Sequence, residues 1–162
     1  MSDQVALIGV VVVPLLGALA VMLAGSRPNL REAMSLGAGV VLLALVVRLL
    51  PGVLSGDWPA MVLADPIPGL SLAFSAEPLG VLFGLIASFL WIVTTVYSIG
   101  YMRGHGEAHQ TRFYAFFAVA MGCTMGVAFA DNLFTLFVFY ELLTLSTYPL
   151  VTHAGTREAR QG

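Results

Sequence analysis

Long apolar runs separated by short polar segments dominate this sequence, and each run has the length of a membrane-spanning helix. A helix needs roughly 17–25 predominantly apolar residues to cross the ~30 Å hydrocarbon core of a bilayer. Five runs meet this requirement: residues 5–24, 33–50, 79–100, 113–130 and 132–152. The pattern therefore predicts an all-α integral membrane protein with five transmembrane helices, forming a single transmembrane domain over residues 1–162.

The connection between the second and third runs has a different pattern. Leu70–Ser75 alternates apolar and small polar residues, which is the period of a half-buried strand, so a short strand or hairpin is expected here. Glu77 directly precedes Pro78, and proline is favoured at the first position of a helix. Glu77 is therefore predicted to be a helix-start residue, stabilised there by the helix dipole.

The first apolar run could also be read as a signal peptide, because Ala18, Leu19 and Ala20 resemble a cleavage site. Residues 1–4, however, carry Asp3 and no positive charge, and the run is longer than a typical signal-peptide core. We expect a retained first span.

Charge is scarce and unevenly distributed. The chain is 59% hydrophobic and only 10% charged, against ~25% charged residues in soluble domains. Connections on one side of the predicted spans hold six arginines, and the opposite side holds only Arg48; the six are Arg27, Arg31, Arg103, Arg112, Arg157 and Arg160. The positive-inside rule then predicts an outside N-terminus and a cytoplasmic C-terminus. The absence of a basic run argues against a nucleic-acid partner.

The fifth run contains one ionisable acid, Glu141, near its centre. Glu141 lies ~15 Å along the helix from Asp131, about half the thickness of the hydrocarbon core. A carboxylate at this depth costs about 2.5–3.5 kcal/mol on insertion scales, so a functional role is the default hypothesis. The sharper interpretation is a proton-exchanging site controlled by a movable cation. The alternative is a structural acid that bonds to a neighbouring helix.

Neighbouring residues on the same run support a polar stripe around this acid. Thr144 and Tyr148 follow Glu141 by helical spacing and share its face. Pro149 lacks an N–H group and leaves the Leu145 carbonyl available to water or a hydroxyl. At the other end of the run, Asp131 is predicted to cap the helix.

No cofactor or metal site is predicted. The single cysteine, Cys123, excludes an internal disulfide and suggests no metal cluster. His105 and His109 are four residues apart, but neighbouring glycines make this segment a poor rigid helix, so a solvated loop is favoured over a metal site. The chain also has no nucleotide-binding motif or cysteine set for NADH, flavin, haem or an iron–sulfur cluster.

Several short segments resemble the proton-conducting antiporter-like family. They are YSIGYM at 97–102, RFY at 112–114, DNL at 131–133, YEL at 140–142 and YPLV at 148–151. This family includes the D-type component of Mrp cation/proton antiporters, the large membrane-arm components of respiratory complex I, such as the M-type one, and related components of membrane-bound hydrogenases. The resemblance covers nearly the whole chain and is most specific from residue 97 to residue 156.

The resemblance implies a site and a set of partners. In the family, a glutamate at the position of Glu141 pairs with a lysine on the seventh of about fourteen helices. These helices include two inverted five-helix repeats. The present chain has five predicted spans and no lysine. The resemblance therefore implies a partial antiporter-like fold whose partners are other membrane subunits of the same complex, one of which supplies the lysine. The transferred ions would be protons, or sodium and protons.

The expected function is a membrane subunit of a multi-subunit cation/proton-translocating complex in the cytoplasmic membrane of a prokaryote, with any redox catalysis in other subunits. Two alternatives remain open. The first is a non-translocating structural or assembly subunit of a complex I-like or hydrogenase-like membrane arm. The second is a subunit of an energy-coupled redox or bicarbonate-uptake complex, which differs only in its partner proteins.

Overall fold

The computed structural model describes residues 3–152, and five α-helices make up most of this range. They are α1 (Asp3–Leu23), α2 (Pro28–Ser55), α3 (Pro78–Gly104), α4 (Gln110–Ala128) and α5 (Leu133–Val151). Each is long and apolar enough to cross a membrane. The prediction of five membrane-spanning helices is therefore confirmed.

Prolines and one left-handed glycine mark helix boundaries. Proline occupies the first turn of both α2 and α3, where its missing N–H removes no helical hydrogen bond. Helix α2 ends at Gly56, whose φ of 78° is the left-handed conformation typical of helix C-termini. At 28 residues, α2 is longer than a bilayer core requires, so it must tilt or extend beyond the core.

A two-stranded antiparallel hairpin connects α2 to α3. Its strands are β1 (Ala60–Ile67) and β2 (Leu70–Ser75), and Gly69 turns between them with a φ of 85°. The predicted strand at Leu70–Ser75 is confirmed. The far edge of β2 bonds to the connection between α4 and α5, where Ser75 N–H donates to the Phe129 carbonyl over 2.9 Å.

Helices α1, α2, α3 and α4 pack around a shared core, and α5 packs on the outside of this group. Helix α1 contacts α2 and α4, α3 also contacts α2 and α4, and α5 contacts α4 and β2. The apolar core lies between α1, α2, α3 and α4, and its largest fully buried members include Leu7, Leu42, Trp91, Met125 and Phe129. Helix α5 is therefore the helix with the least coverage in this part of the chain: Thr135 and Ser146 are its buried residues.

The predicted cap at Asp131 is wrong, because Asn132 occupies the N-cap position of α5. The Asn132 side-chain oxygen accepts a hydrogen bond from the Thr135 N–H over 2.8 Å, and its backbone is extended. Asp131 instead belongs to the edge of the hairpin, since its N–H donates to the Ala73 carbonyl over 3.0 Å. The hairpin thus sets where α5 begins, which helical spacing alone does not reveal.

Helices α3 and α4 approach closely at Gly80, which gives a prediction about stability. A Cβ atom at this position would collide with the Ala128 backbone carbonyl, whereas one at Gly100 would meet no atom within 4 Å. Gly80→Ala should therefore force the two helices apart and cost on the order of 1–3 kcal/mol. Gly100→Ala should leave stability unchanged or raise it, because alanine is the better helix former.

Thermal unfolding in detergent checks this pair of variants, with exposure of the buried Cys123 thiol to a fluorogenic reagent as the signal. The unfolding midpoint should fall for Gly80→Ala alone. Equal midpoints for the two variants would show that the close approach at Gly80 does not matter for stability.

Candidate functional site

Glu141 lies near the middle of α5, on the face that the other described elements leave uncovered. Its neighbours on this face are exposed too: Leu145 is 70% and Tyr148 is 64% accessible. Within residues 3–152, no hydrogen bond or ion pair involves the Glu141 carboxylate. A structural role in which Glu141 bonds to a neighbouring helix therefore has no support from this part of the chain.

The structure brings two of the predicted supporting residues to the same open face. Thr144 and Tyr148 lie on the same side of α5 as Glu141, and Tyr148 is exposed like the acid. The Thr144 hydroxyl donates to the Tyr140 carbonyl over 3.0 Å within its own helix. Pro149 is half-buried inside α5 and provides no N–H for the Leu145 carbonyl. The arrangement is a carboxyl with hydroxyl groups and a spare backbone acceptor along one helix face.

The hairpin holds the start of α5 through side chains that helical spacing did not single out. Thr135 is fully buried, and its hydroxyl oxygen accepts the Ala73 N–H over 2.9 Å and donates to the Ser71 carbonyl over 3.3 Å. The Asn132 amide also donates to the Ser71 carbonyl, over 2.9 Å. These hydrogen bonds attach the start of α5 to β2, because side chains of α5 bond to backbone groups of β2.

Close packing on α4 determines the rotation of α5. Gly126 of α4 lies directly against the Phe139 ring, where a Cβ atom would overlap with it. The same ring contacts Phe74 of β2 edge to face, with centroids 5.5 Å apart. Phe139 is therefore directed towards α4 and the hairpin, and Glu141 lies on the uncovered side of α5.

A cavity of about 470 Å³ lies between α3, α4 and α5 beside the hairpin. Its lining is mostly apolar and includes Gly80, Phe83 and Tyr140, with Glu77 as its charged member. Glu77 occupies the N-cap position of α3, and its side chain accepts no hydrogen bond from the first-turn amides. Its stabilisation by the helix dipole stays a prediction.

A charged cluster that sequence reasoning missed lies at the end of the bundle where α2 begins and α3 ends. The Glu32 carboxylate is buried and accepts two hydrogen bonds from the Arg103 guanidinium, one of them at 3.0 Å from Nε. Arg31 is also buried, with one terminal nitrogen 3.6 Å from Glu32 and 2.7 Å from Gln110 Oε1. The cluster joins α2, α3 and α4.

The predicted loop position of Arg31 explains why this cluster was missed. The apolar run suggested a helix from residue 33, whereas α2 begins at Pro28 and includes both Arg31 and Glu32. Pro28 is the signal that could have revealed the earlier start, because proline favours the first helical turn. Arg31 and Glu32, which carry opposite charges, would then have been assigned to the helix.

Known proteins are similar to most of this chain. The chain is homologous to the A1 component of the Na(+)/H(+) antiporter of Staphylococcus aureus strain bovine RF122 / ET3-1, with 28% identity over 121 residues, 74% of this chain and 15% of that protein. Another S. aureus A1 component is 28% identical over 125 residues, which are 76% of this chain and 15% of that relative. The chain thus spans 15% of the length of these relatives. No protein-family model matches the sequence.

The fold also occurs in a solved structure, that of the membrane-bound sulfane sulfur reductase, an archaeal respiratory membrane complex. The TM-score is 0.77 over 94% of this chain and 23% of that chain, at 18% sequence identity. The likeness in fold and the homology above confirm the resemblance to the antiporter-like family. The S. aureus relatives are A1 components of the antiporter, whereas the sequence resemblance named the D-type component.

The hydroxyl of Thr135 generates a prediction about how α5 is held. Thr135→Val keeps the side-chain volume but leaves the buried Ala73 N–H without its acceptor, which costs about 1–3 kcal/mol. Thr147→Val is the matched control on the same helix, because its hydroxyl bonds to the Thr144 carbonyl of α5 itself. Thermal unfolding in detergent should show a lower midpoint for Thr135→Val alone. A similar midpoint for both variants would contradict an anchoring role for Thr135.

The Glu32–Arg103 ion pair generates a second prediction. Removing one partner of a fully buried pair costs about 3–5 kcal/mol, whereas an exposed pair contributes only about 0–1 kcal/mol. The Arg103 side chain is 47% exposed, but its partner Glu32 is buried, so Arg103→Ala should lower stability by leaving that carboxylate without two hydrogen bonds. Arg48→Ala, which removes the exposed pair with Asp3, should have the smaller effect. Chemical or thermal unfolding of both variants checks this order, and the reverse order would disprove it.

Proposed function

We propose that this chain is a membrane subunit of a multi-subunit cation/proton-translocating complex and that Glu141 is its proton-exchanging acid. The observation that carries the proposal is the carboxyl near the middle of α5, on a face that no other element in residues 3–152 covers. Homology to the A1 component of a Na(+)/H(+) antiporter supports the same function. Because the chain spans 15% of such a protein, the complete transport activity would need further helices.

The energetic cost of placing a charged carboxylate inside a membrane indicates that Glu141 has a partner in the assembled complex. A charged carboxylate at the centre of a bilayer costs about 2.5–3.5 kcal/mol on insertion scales, so such residues usually face protein or water rather than lipid. The open face of α5 is therefore expected to lie against another protein element in the assembled complex. That element would make the site complete.

The partner of Glu141 would be a basic side chain from outside these 162 residues. The sequence contains no lysine. The arginines that form ion pairs in the described range do so elsewhere: Arg48 with Asp3, and Arg31 and Arg103 with Glu32. A lysine of a neighbouring membrane subunit is the partner that we propose, in agreement with the family resemblance.

A movable lysine would control the proton on Glu141. When the ammonium group is close, it stabilises the ionised carboxylate; when it moves away, burial favours the protonated form. Thr144 and Tyr148 would line the path by which water delivers the proton, and the Leu145 carbonyl beside Pro149 would offer a further acceptor. The coupling ions would be protons, with sodium as the exchanged cation.

The arginine distribution supports an orientation of the chain in the membrane. The Arg31 and Arg103 end of the bundle would face the cytoplasm of a prokaryotic cell, in its cytoplasmic membrane, by the positive-inside rule. The hairpin β1–β2 would then lie on the outer side. The N-terminus would be outside, and the C-terminus would be cytoplasmic.

An assembly subunit that moves no ions is the second candidate function. The observation that favours it is the apolar character of the open α5 face, where Leu133, Leu145 and Val151 are all more than 65% exposed. Such a face could serve only to pack against a neighbouring subunit. In that case deletion of the chain would disrupt the complex, and the charge of Glu141 would be irrelevant to transport.

Substitution of Glu141 separates the two functions. Glu141→Gln keeps the shape of the side chain but cannot exchange a proton, so proton-coupled cation transport should fall on the order of 100-fold or more. Glu77→Gln is the matched control, because Glu77 is an exposed acid at the start of α3. Transport is measured from the pH gradient across everted membrane vesicles on addition of sodium, and assembly is measured by native gel electrophoresis.

Normal assembly with lost transport in Glu141→Gln, and normal transport in Glu77→Gln, is the expected result. Unchanged transport in a fully assembled Glu141→Gln complex would rule out the proton-site role and leave the assembly function.

A further inference from the structure

The cavity beside the hairpin has no part in the function proposed above. It has a volume of about 470 Å³ and lies between α3, α4 and α5. Helix α4 contacts both α3 and α5, so it forms the floor of the cavity, and the other two helices form its walls. Within residues 3–152, the lining includes Tyr140 and Leu143 of α5 but not Glu141. The cavity is therefore separate from the proposed proton site.

The lining of the cavity suits a hydrocarbon better than a polar ligand. Most of its side chains are apolar, such as Phe83 of α3 and Val127 of α4. The hydroxyl of Thr124, which also lines the cavity, already donates to the Ala120 carbonyl over 2.8 Å. Glu77 lies at the end where α3 begins, and beyond it the lining within residues 3–152 carries no charged side chain. An occupant of this deeper part needs an apolar surface rather than a charge.

The depth of the cavity matches one leaflet of a bilayer. At the hairpin end its lining includes Glu77, just before α3, and Ala130, just after α4. Leu143, its furthest lining residue on α5, lies ten residues after Leu133, where α5 begins. Ten residues of helix are ~15 Å long, about half of the ~30 Å hydrocarbon core. The cavity therefore extends from the boundary of the membrane to about its middle.

The volume of the cavity fits a single acyl chain better than a protein helix. A helix with a diameter of ~10 Å and a rise of ~1.5 Å per residue takes up on the order of 120 Å³ per residue. The cavity therefore holds only about one turn of a helix. A hydrocarbon chain is much thinner, and the volume of the cavity is close to that of one membrane acyl chain.

The outward face of α3, which adjoins the cavity, has the pattern of a helix in contact with lipid. Its exposed side chains are bulky and apolar; they include Phe83, Ile86, Phe89, Leu90 and Val93. Several buried positions on the opposite face are small or polar instead; they include Gly84, Ser88 and Thr95. Small and polar residues are typical of helix–helix contacts in membranes, whereas lipid favours apolar side chains. Because Phe83 belongs both to this face and to the cavity, lipid on the face has access to the cavity.

We propose that one acyl chain of a phospholipid, from the leaflet on the hairpin side, occupies this cavity as a tightly bound lipid. The chain lies between Phe83 of α3 and Leu143 of α5, over Val127 of α4, and its headgroup lies at the hairpin end. The lipid supports the helix that carries Glu141 by filling the space between α3 and α5. It takes no part in proton exchange, and its binding does not depend on the charge of Glu77.

Photolabelling of the assembled complex tests this proposal. Membranes that contain the complex are supplied with phosphatidylethanolamine that carries a photoreactive diazirine on one acyl chain. They are solubilised and washed with detergent to remove loosely bound lipid, and then irradiated. We expect label to remain on Val127 and Leu143 in the cavity and to be lost from Leu90 and Val93 on the outward face of α3. Label at neither place, which a protein helix in the cavity would also produce, or equal label at both would overturn the proposal.

Filling the cavity gives a second test. Val127→Trp places a bulky side chain in the space assigned to the lipid, so the retained label on Leu143 should be lost. Val93→Trp is the matched control, because Val93 is 48% exposed on the outward face of α3, and its label on Leu143 should be unchanged. Native gel electrophoresis checks that both variants assemble.

Undiminished label on Leu143 in an assembled Val127→Trp complex would contradict the proposal. If Val127→Trp does not assemble, Leu143→Trp fills the same cavity from α5, and the retained label on Val127 is measured instead. Loss of that label is the expected result, and its persistence would overturn the proposal. Both outcomes are independent of transport, so they do not depend on the role of Glu141.

Discussion

Hydrogen bonds between β2 and the start of α5 determine where the open helix face lies. Both backbone polar groups of Ala73 bond to this region: its N–H donates to the Thr135 hydroxyl, and its carbonyl accepts the Asp131 N–H. An unsatisfied backbone group in a low-dielectric setting costs several kcal/mol, so the hairpin cannot slide along α5 without a large penalty. Together with the Phe139 contact on Gly126, these bonds position Glu141 on the uncovered side.

The elements that follow from local pattern could be predicted from the sequence. Five apolar runs of spanning length predicted five helices, because the thickness of a bilayer directly sets the length of a helix that crosses it. Alternation in Leu70–Ser75 predicted β2, since side chains on a strand point to opposite faces. The depth of Glu141 within its run also depends on local spacing alone, and the structure places it near the middle of α5.

The features that depend on distant contacts could not be predicted. Asn132 rather than Asp131 caps α5, because hydrogen bonds from the hairpin hold the Asp131 backbone outside the helix. Arg31 was assigned to a loop, but α2 begins earlier and buries it beside Glu32. The same reasoning applies to the proposed partner of Glu141. A group outside the chain leaves no pattern within it, apart from an acid that forms no ion pair within residues 3–152.

The central claim is that Glu141 is half of a site whose other half comes from outside these 162 residues. The most direct measurement is a cryo-electron microscopy structure of the assembled complex, in which the distance from the Glu141 carboxylate to the nearest basic nitrogen can be read. We predict a lysine nitrogen of another protein segment within about 4 Å, or one bridging water away. An α5 face covered only by lipid or by apolar side chains around Glu141 would contradict the claim.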